Sequence, residues 1–115
     1  MSVEKARAHY RGKDGHKKLN CSQAVISAFK DKFSMGEDIV GIFAGYGGGR
    51  APEGVCGAYY AAKVMLKDKH QDKLKECENF FLSYAGSTKC KEIRQLKKLS
   101  CIGCVEKIAE FIDKI

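Results

Sequence analysis

Apolar residues recur along this chain at intervals of three and four, and no stretch alternates strictly between apolar and polar positions. That period belongs to amphipathic helices rather than half-buried strands. A short first helix is predicted near residues 3–10. Asn20 suits the N-cap of a second, "CSQAVISAFKDKF" (21–33), with Ala24, Val25, Ala28 and Phe29 on one face. Gly36 separates it from a third, "EDIVGIFAGY" (37–46). A glycine-rich loop, "GYGGGRAPEG" (45–54), leads into a fourth, "VCGAYYAAKVMLKDKH" (55–70). The fifth, "QDKLKECENFFLSYA" (71–85), ends at Gly86, a residue suited to a helix C-terminus. A helical turn follows Ser87. The last helix starts after Ser100, with Val105, Ile108, Ala109 and Ile112 as its apolar stripe. The expectation is an all-α bundle of five to six helices forming one domain over residues 1–115, without internal repeat or linker.

Composition agrees with a folded domain. Of 115 residues, 44% are hydrophobic and 30% charged, which excludes a disordered chain. No run approaches the roughly 20 apolar residues of a spanning helix. The opening "MSVEKARAHYRGKDG" has neither the apolar core of a signal peptide nor that of an anchor. A cytoplasmic protein without membrane association is therefore expected. The 21 Lys and Arg against 14 Asp and Glu leave a net charge of +7. This surplus favours an anionic partner, with an acidic redox protein first. The basic residues are spread out and form no nucleic-acid recognition element, so nucleic-acid binding ranks low.

Six cysteines in a reducing compartment point to metal or redox chemistry rather than a disulfide frame. Four of them, Cys21, Cys56, Cys90 and Cys101, fall in the first turn of a predicted helix. Unpaired N–H groups and the positive end of the helix dipole stabilise an anion there. Lowered thiol pKa values are expected at all four. Cys77 lies inside the fifth helix between Leu74 and Phe80–Phe81 and reads as a small buried hydrophobe. Cys104 lies on the side of Val105 and Ile108 and reads mainly as packing, although its spacing from Cys101 keeps a dithiol role open. The pair is no haem anchor, because Val105 stands where a His is required. His9, His16 and His70 lie in polar neighbourhoods and match no zinc-finger spacing. In the loop, Gly47, Gly48, Gly49 and Arg50 can form an anion cradle or simply a tight turn. Gly57, directly after Cys56, offers close approach of backbone to a ligand.

"NCSQAV" around Cys21, "VCGAYYA" after the glycine-rich loop, "GSTKC" ending at Cys90 and "CIGCVEKIAEF" from Cys101 together resemble the C-GCAxxG-C-C family, small proteins described as redox-active. The resemblance runs from Asn20 to near the end of the chain. Cys21, Cys56, Cys90 and Cys101 match the four family cysteines, and Gly57 and Ala58 match the small residues after the second. Cys77 and Cys104 are additions, and Ala61 replaces an expected glycine. The resemblance implies a redox or electron-transfer function centred on the four cysteines. They would act as ligands of an iron–sulfur cluster or as thiols cycling between dithiol and disulfide without a cofactor. A structural zinc site on the same four is the alternative.

Overall fold

A computed structural model of the chain describes residues 2–12, 19–36, 38–46, 51–67 and 70–115. Among the described residues there are seven α-helices and no β-strand. They are α1 (Ser2–Arg11), α2 (Cys21–Phe29), α3 (Asp38–Ile42), α4 (Gly57–Lys67), α5 (Leu74–Ala85), α6 (Cys90–Leu96) and α7 (Cys101–Asp113). The all-α expectation holds, with more helices than the five to six expected. The turn after Ser87 is a helix of its own, α6, of seven residues.

α2 packs against α1, α4 and α7, and these four enclose most of the core. Val25, Ile26, Phe29, Leu66, Val105, Ile108 and Ile112 are all sealed from solvent, as is Phe81 of α5. The stripe expected on α7 is fully buried. An ion pair from Arg7 to Glu106 (2.9 Å) joins α1 to α7. Lys32 donates to the carbonyl of Ile112 (3.0 Å), placing a cation on the C-terminus of α7 where the dipole favours it.

Two boundaries differ from expectation for local reasons. α2 ends at Phe29 rather than at residue 33. Ser34 takes a positive φ (56°), and the Met35 N–H bonds back to the Lys30 carbonyl (2.8 Å). That six-to-one bond across a left-handed residue keeps the turns of residues 30–34 from continuing as helix. α4 starts at Gly57, two residues late. Val55 is held in a bridge with Lys89, and the Cys56 N–H bonds the Thr88 carbonyl (2.7 Å). Val55 and Cys56 are therefore held out of the helix, and Cys56 becomes the cap of α4 instead of a first-turn residue.

The "NCSQ" segment fixes the start of α2. Asn20 Oδ1 accepts the Gln23 N–H (2.8 Å), and Gln23 Oε1 accepts the Asn20 N–H in return (3.2 Å). This reciprocal capping box satisfies two otherwise unpaired donors. Asn20 Nδ2 also donates to the carbonyls of Phe43 (3.3 Å) and Ala44 (3.0 Å). The buried Ser22 hydroxyl reaches the Phe43 carbonyl as well (3.1 Å). One end of the fold, where Cys21 lies, is thereby pinned to the 3-10 turn Phe43–Gly45.

Candidate functional site

The N-termini of α2, α4, α6 and α7 open on one cleft of about 1170 Å³, and Cys21, Cys56, Cys90 and Cys101 all line it. Three of them occupy the first helical position, after Asn20, Lys89 and Ser100. Cys56 is the cap residue of α4, and the Tyr60 N–H closes the first helical bond on its carbonyl (2.9 Å). Cys104 also lines the cleft. It follows Cys101 by three residues, so one face of α7 carries both side chains. No disulfide joins the six cysteines.

The α2 and α4 ends meet with little room between them. A Cβ on Gly57 would lie 2.7 Å from Cys21 Sγ and 2.5 Å from the Tyr46 carbonyl oxygen. Glycine at 57 thus allows two helix starts, each carrying a cysteine, to sit side by side. Gly47, Gly48, Gly49 and Arg50 of the proposed cradle lie outside the described residues.

The thiols differ sharply in environment. Cys56 is held below the ordinary thiol range, chiefly by a hydrogen bond from the Cys104 thiol. The N–H groups of Tyr59 and Ala58 and the charge of Arg94 add to this, and burial opposes it. Cys104 is pushed well above the ordinary range by the same hydrogen bond, by burial and by the neighbouring cysteine charges. Cys104 is buried beside Val105 and Ile108 as expected, but its sulfur meets that of Cys56 and so belongs to the site.

Cys90 departs from the expected lowering. Burial raises its pKa, and the opposing charge of Arg94 does not cancel that effect. The short α6 has no side-chain cap hydrogen bond at Lys89 to sharpen its N-terminus. Cys101 is exposed, and its sulfur is hydrogen-bonded with the Tyr10 hydroxyl and the Arg94 guanidinium. Burial raises the Tyr10 pKa, and charge on Cys101 and Cys21 raises it further.

Tyr10, Arg11, Arg94 and Lys97 complete the polar lining and were not identified from the sequence. Arg94 had a readable signal, because it follows Cys90 by four residues on α6 and therefore shares its face. Tyr10 and Arg11 had none, since α1 reaches the cleft only through tertiary packing. His9 and His70 do not line the cleft. His9 Nε2 is 3.3 Å from Ser27 Oγ, and His70 packs edge-on to Phe33. His16 lies outside the described residues.

Cys77 is buried away from the cleft, as expected, and burial pushes its thiol up to about 12. An unfolded thiol ionises near 9.0. Through that window the unfolded chain loses its proton first, so the Cys77 contribution to stability is complete below pH 9 and falls as pH rises toward 12. Denaturant midpoints measured across this range should fall less steeply in Cys77→Ala than in the wild type. Equal slopes would exclude this role for Cys77.

Thiolates are suitable donors for zinc or an iron–sulfur cluster, and the cleft carries five thiols. Among the described residues no three His, Cys, Asp or Glu side chains are grouped to hold a metal ion. The donor type suits a metal ion, while the donor positions among the described residues do not converge on one. Nor is any helix among the described residues long and apolar enough to cross a membrane.

A family model described as "Putative redox-active protein (C_GCAxxG_C_C)" matches residues 19–115, a span that includes all five cleft cysteines and leaves α1 outside. No curated protein and no solved structure matches the chain. A match over this much of the sequence, carrying the cysteines that the fold gathers on one cleft, establishes that the chain belongs to the C_GCAxxG_C_C family.

Proposed function

We propose that this protein is a redox carrier working through its own thiols, with cleft cysteines passing between dithiol and disulfide and Cys56 as the attacking thiolate. One observation carries the reading. The Cys56 sulfur lines the cleft at the N-cap of α4, where it accepts the N–H groups of Ala58 and Tyr59 and the S–H of Cys104. Hydrogen bonds to the ionised form favour the thiolate, which is the nucleophile in thiol–disulfide exchange.

The Cys56 thiolate attacks one sulfur of a substrate disulfide, and the other substrate sulfur leaves as a thiolate. A second cleft thiol then displaces the bound half and takes both oxidising equivalents into the protein. Arg94 stands close enough to the cysteines to stabilise the negative charge moved in each displacement. Arg11, Arg94 and Lys97 give the cleft a basic lining on a chain of net charge +7. An acidic partner protein is the matching electron donor or acceptor, and its approach would be slowed by salt.

The test is one oxygen-free purification followed by metal analysis and a thiol count. Reduced protein exposed to oxidised glutathione should lose two alkylatable thiols and regain them with dithiothreitol. Stoichiometric iron with sulfide, or zinc, would instead assign Cys21, Cys56, Cys90 and Cys101 as ligands and overturn the thiol reading. An unchanged thiol count without metal would remove both.

A further inference from the structure

We infer that Cys104, which lies outside the four-cysteine pattern, is the resolving cysteine for Cys56. The inference rests on the reading of Cys56 as the attacking thiolate and names the second thiol of the pair.

Three observations converge on it. The Cys104 sulfur is in hydrogen-bonding contact with that of Cys56, so a substrate half bound to Cys56 lies against it from the start. Cys104 and Cys56 line the same cleft and are buried to a similar degree, 3% and 5% exposed. Cys101, its Cys-x-x-Cys neighbour, is exposed and engaged with Tyr10 and Arg94. The working pair is therefore formed across two helices, α4 and α7, rather than within the "CIGC" motif.

The step balances. The Cys56 thiolate attacks R–S–S–R′; a Cys56–S–S–R bond forms, the substrate S–S bond breaks, and R′–S⁻ leaves. The Cys104 proton, freed from its hydrogen bond when Cys56 loses its charge, passes to R′–S⁻. The Cys104 thiolate then attacks Cys56 Sγ, and R–S⁻ leaves and takes a proton from water. In sum, one thiolate, one thiol, one proton and one disulfide give the Cys56–Cys104 disulfide and two free thiols. Two electrons move from the protein to the substrate.

Oxidised glutathione is the probe, and tryptic mapping is the readout. Cys56 lies in peptide 51–63, while Cys101 and Cys104 share peptide 99–107, so fragment spectra must locate the bond. Wild-type protein should join the two peptides through Cys104 and carry little glutathione on Cys56. Cys104→Ala and Cys104→Ser should each accumulate the Cys56–glutathione adduct by about tenfold or more, because the second displacement is lost. The wild-type map requires no variant, so a folding defect in either substitution leaves the test intact. A bond from Cys56 to Cys101, Cys21 or Cys90, or clearance of the adduct at the wild-type rate in both variants, would overturn Cys104 alone. No adduct and no disulfide at Cys56 in the wild type would overturn the attacking role of Cys56, and this inference with it.

Discussion

Cys56→Ser is expected to lower the rate of disulfide exchange by about 100-fold or more, with the fold intact. A serine hydroxyl does not ionise near neutral pH and cannot serve as the attacking sulfur. It can, however, still accept the N–H groups of Ala58 and Tyr59 from the cap of α4, a position serine favours. Loss of activity and loss of stability are therefore separated at this residue. Cys77→Ser should show the opposite pattern. Cys77 is sealed in α5 away from the cleft, so exchange should continue, while an unpartnered buried hydroxyl costs about 1–3 kcal/mol. Alkylation-quenched exchange assays and thermal melts on the two variants check both halves. Exchange in Cys56→Ser within about threefold of wild type would show that another thiol attacks.

The pattern of apolar spacing carried most of the fold. α1, α5 and α7 lie close to where it places them, because long amphipathic segments bury one face whatever their neighbours do. The start of α4 was not legible. Val55 and Cys56 continue the apolar spacing, but a bridge to Lys89 and the bond to Thr88 hold them out of the helix, and both partners lie about 33 residues further along the chain. The same long-range pairing turns Cys56 from a first-turn residue into a cap. The helix-start address of Cys21 and Cys101 was readable, since Asn20 and Ser100 are good caps and each precedes a cysteine. The ranking of the thiols was not. A helix dipole is a local property of sequence, whereas the burial that raises Cys90 and the sulfur contact that separates Cys56 from Cys104 arise only when α4, α6 and α7 come together.

Gly57→Ala is expected to destabilise the protein by about 2–3 kcal/mol, lowering the melting temperature by roughly 10 °C. Helix propensity alone argues the other way, since alanine is preferred to glycine by about 1 kcal/mol inside a helix. Gly57 is not among the positive-φ glycines, so backbone strain does not reserve the position for glycine. Steric contact must decide the sign. The added methyl would stand 2.5 Å from the Tyr46 carbonyl oxygen, 2.7 Å from Cys21 Sγ and 3.2 Å from Ser22 Cβ. The Tyr46 oxygen belongs to backbone beside the 3-10 turn that Asn20 and Ser22 pin to α2, so it cannot swing aside as a side chain would. Relief requires α4 to move away from α2, which separates Cys21 from Cys56 and opens the cleft. The rate of Cys21 alkylation should change along with the melting temperature. Gly41→Ala provides the control, because Gly41 lies within α3 and a methyl there meets nothing within 4 Å. That variant should be neutral or slightly stabilised. If Gly57→Ala melted as high as Gly41→Ala, with Cys21 reacting at the wild-type rate, close apposition of the α2 and α4 N-termini would not be what glycine secures at this position.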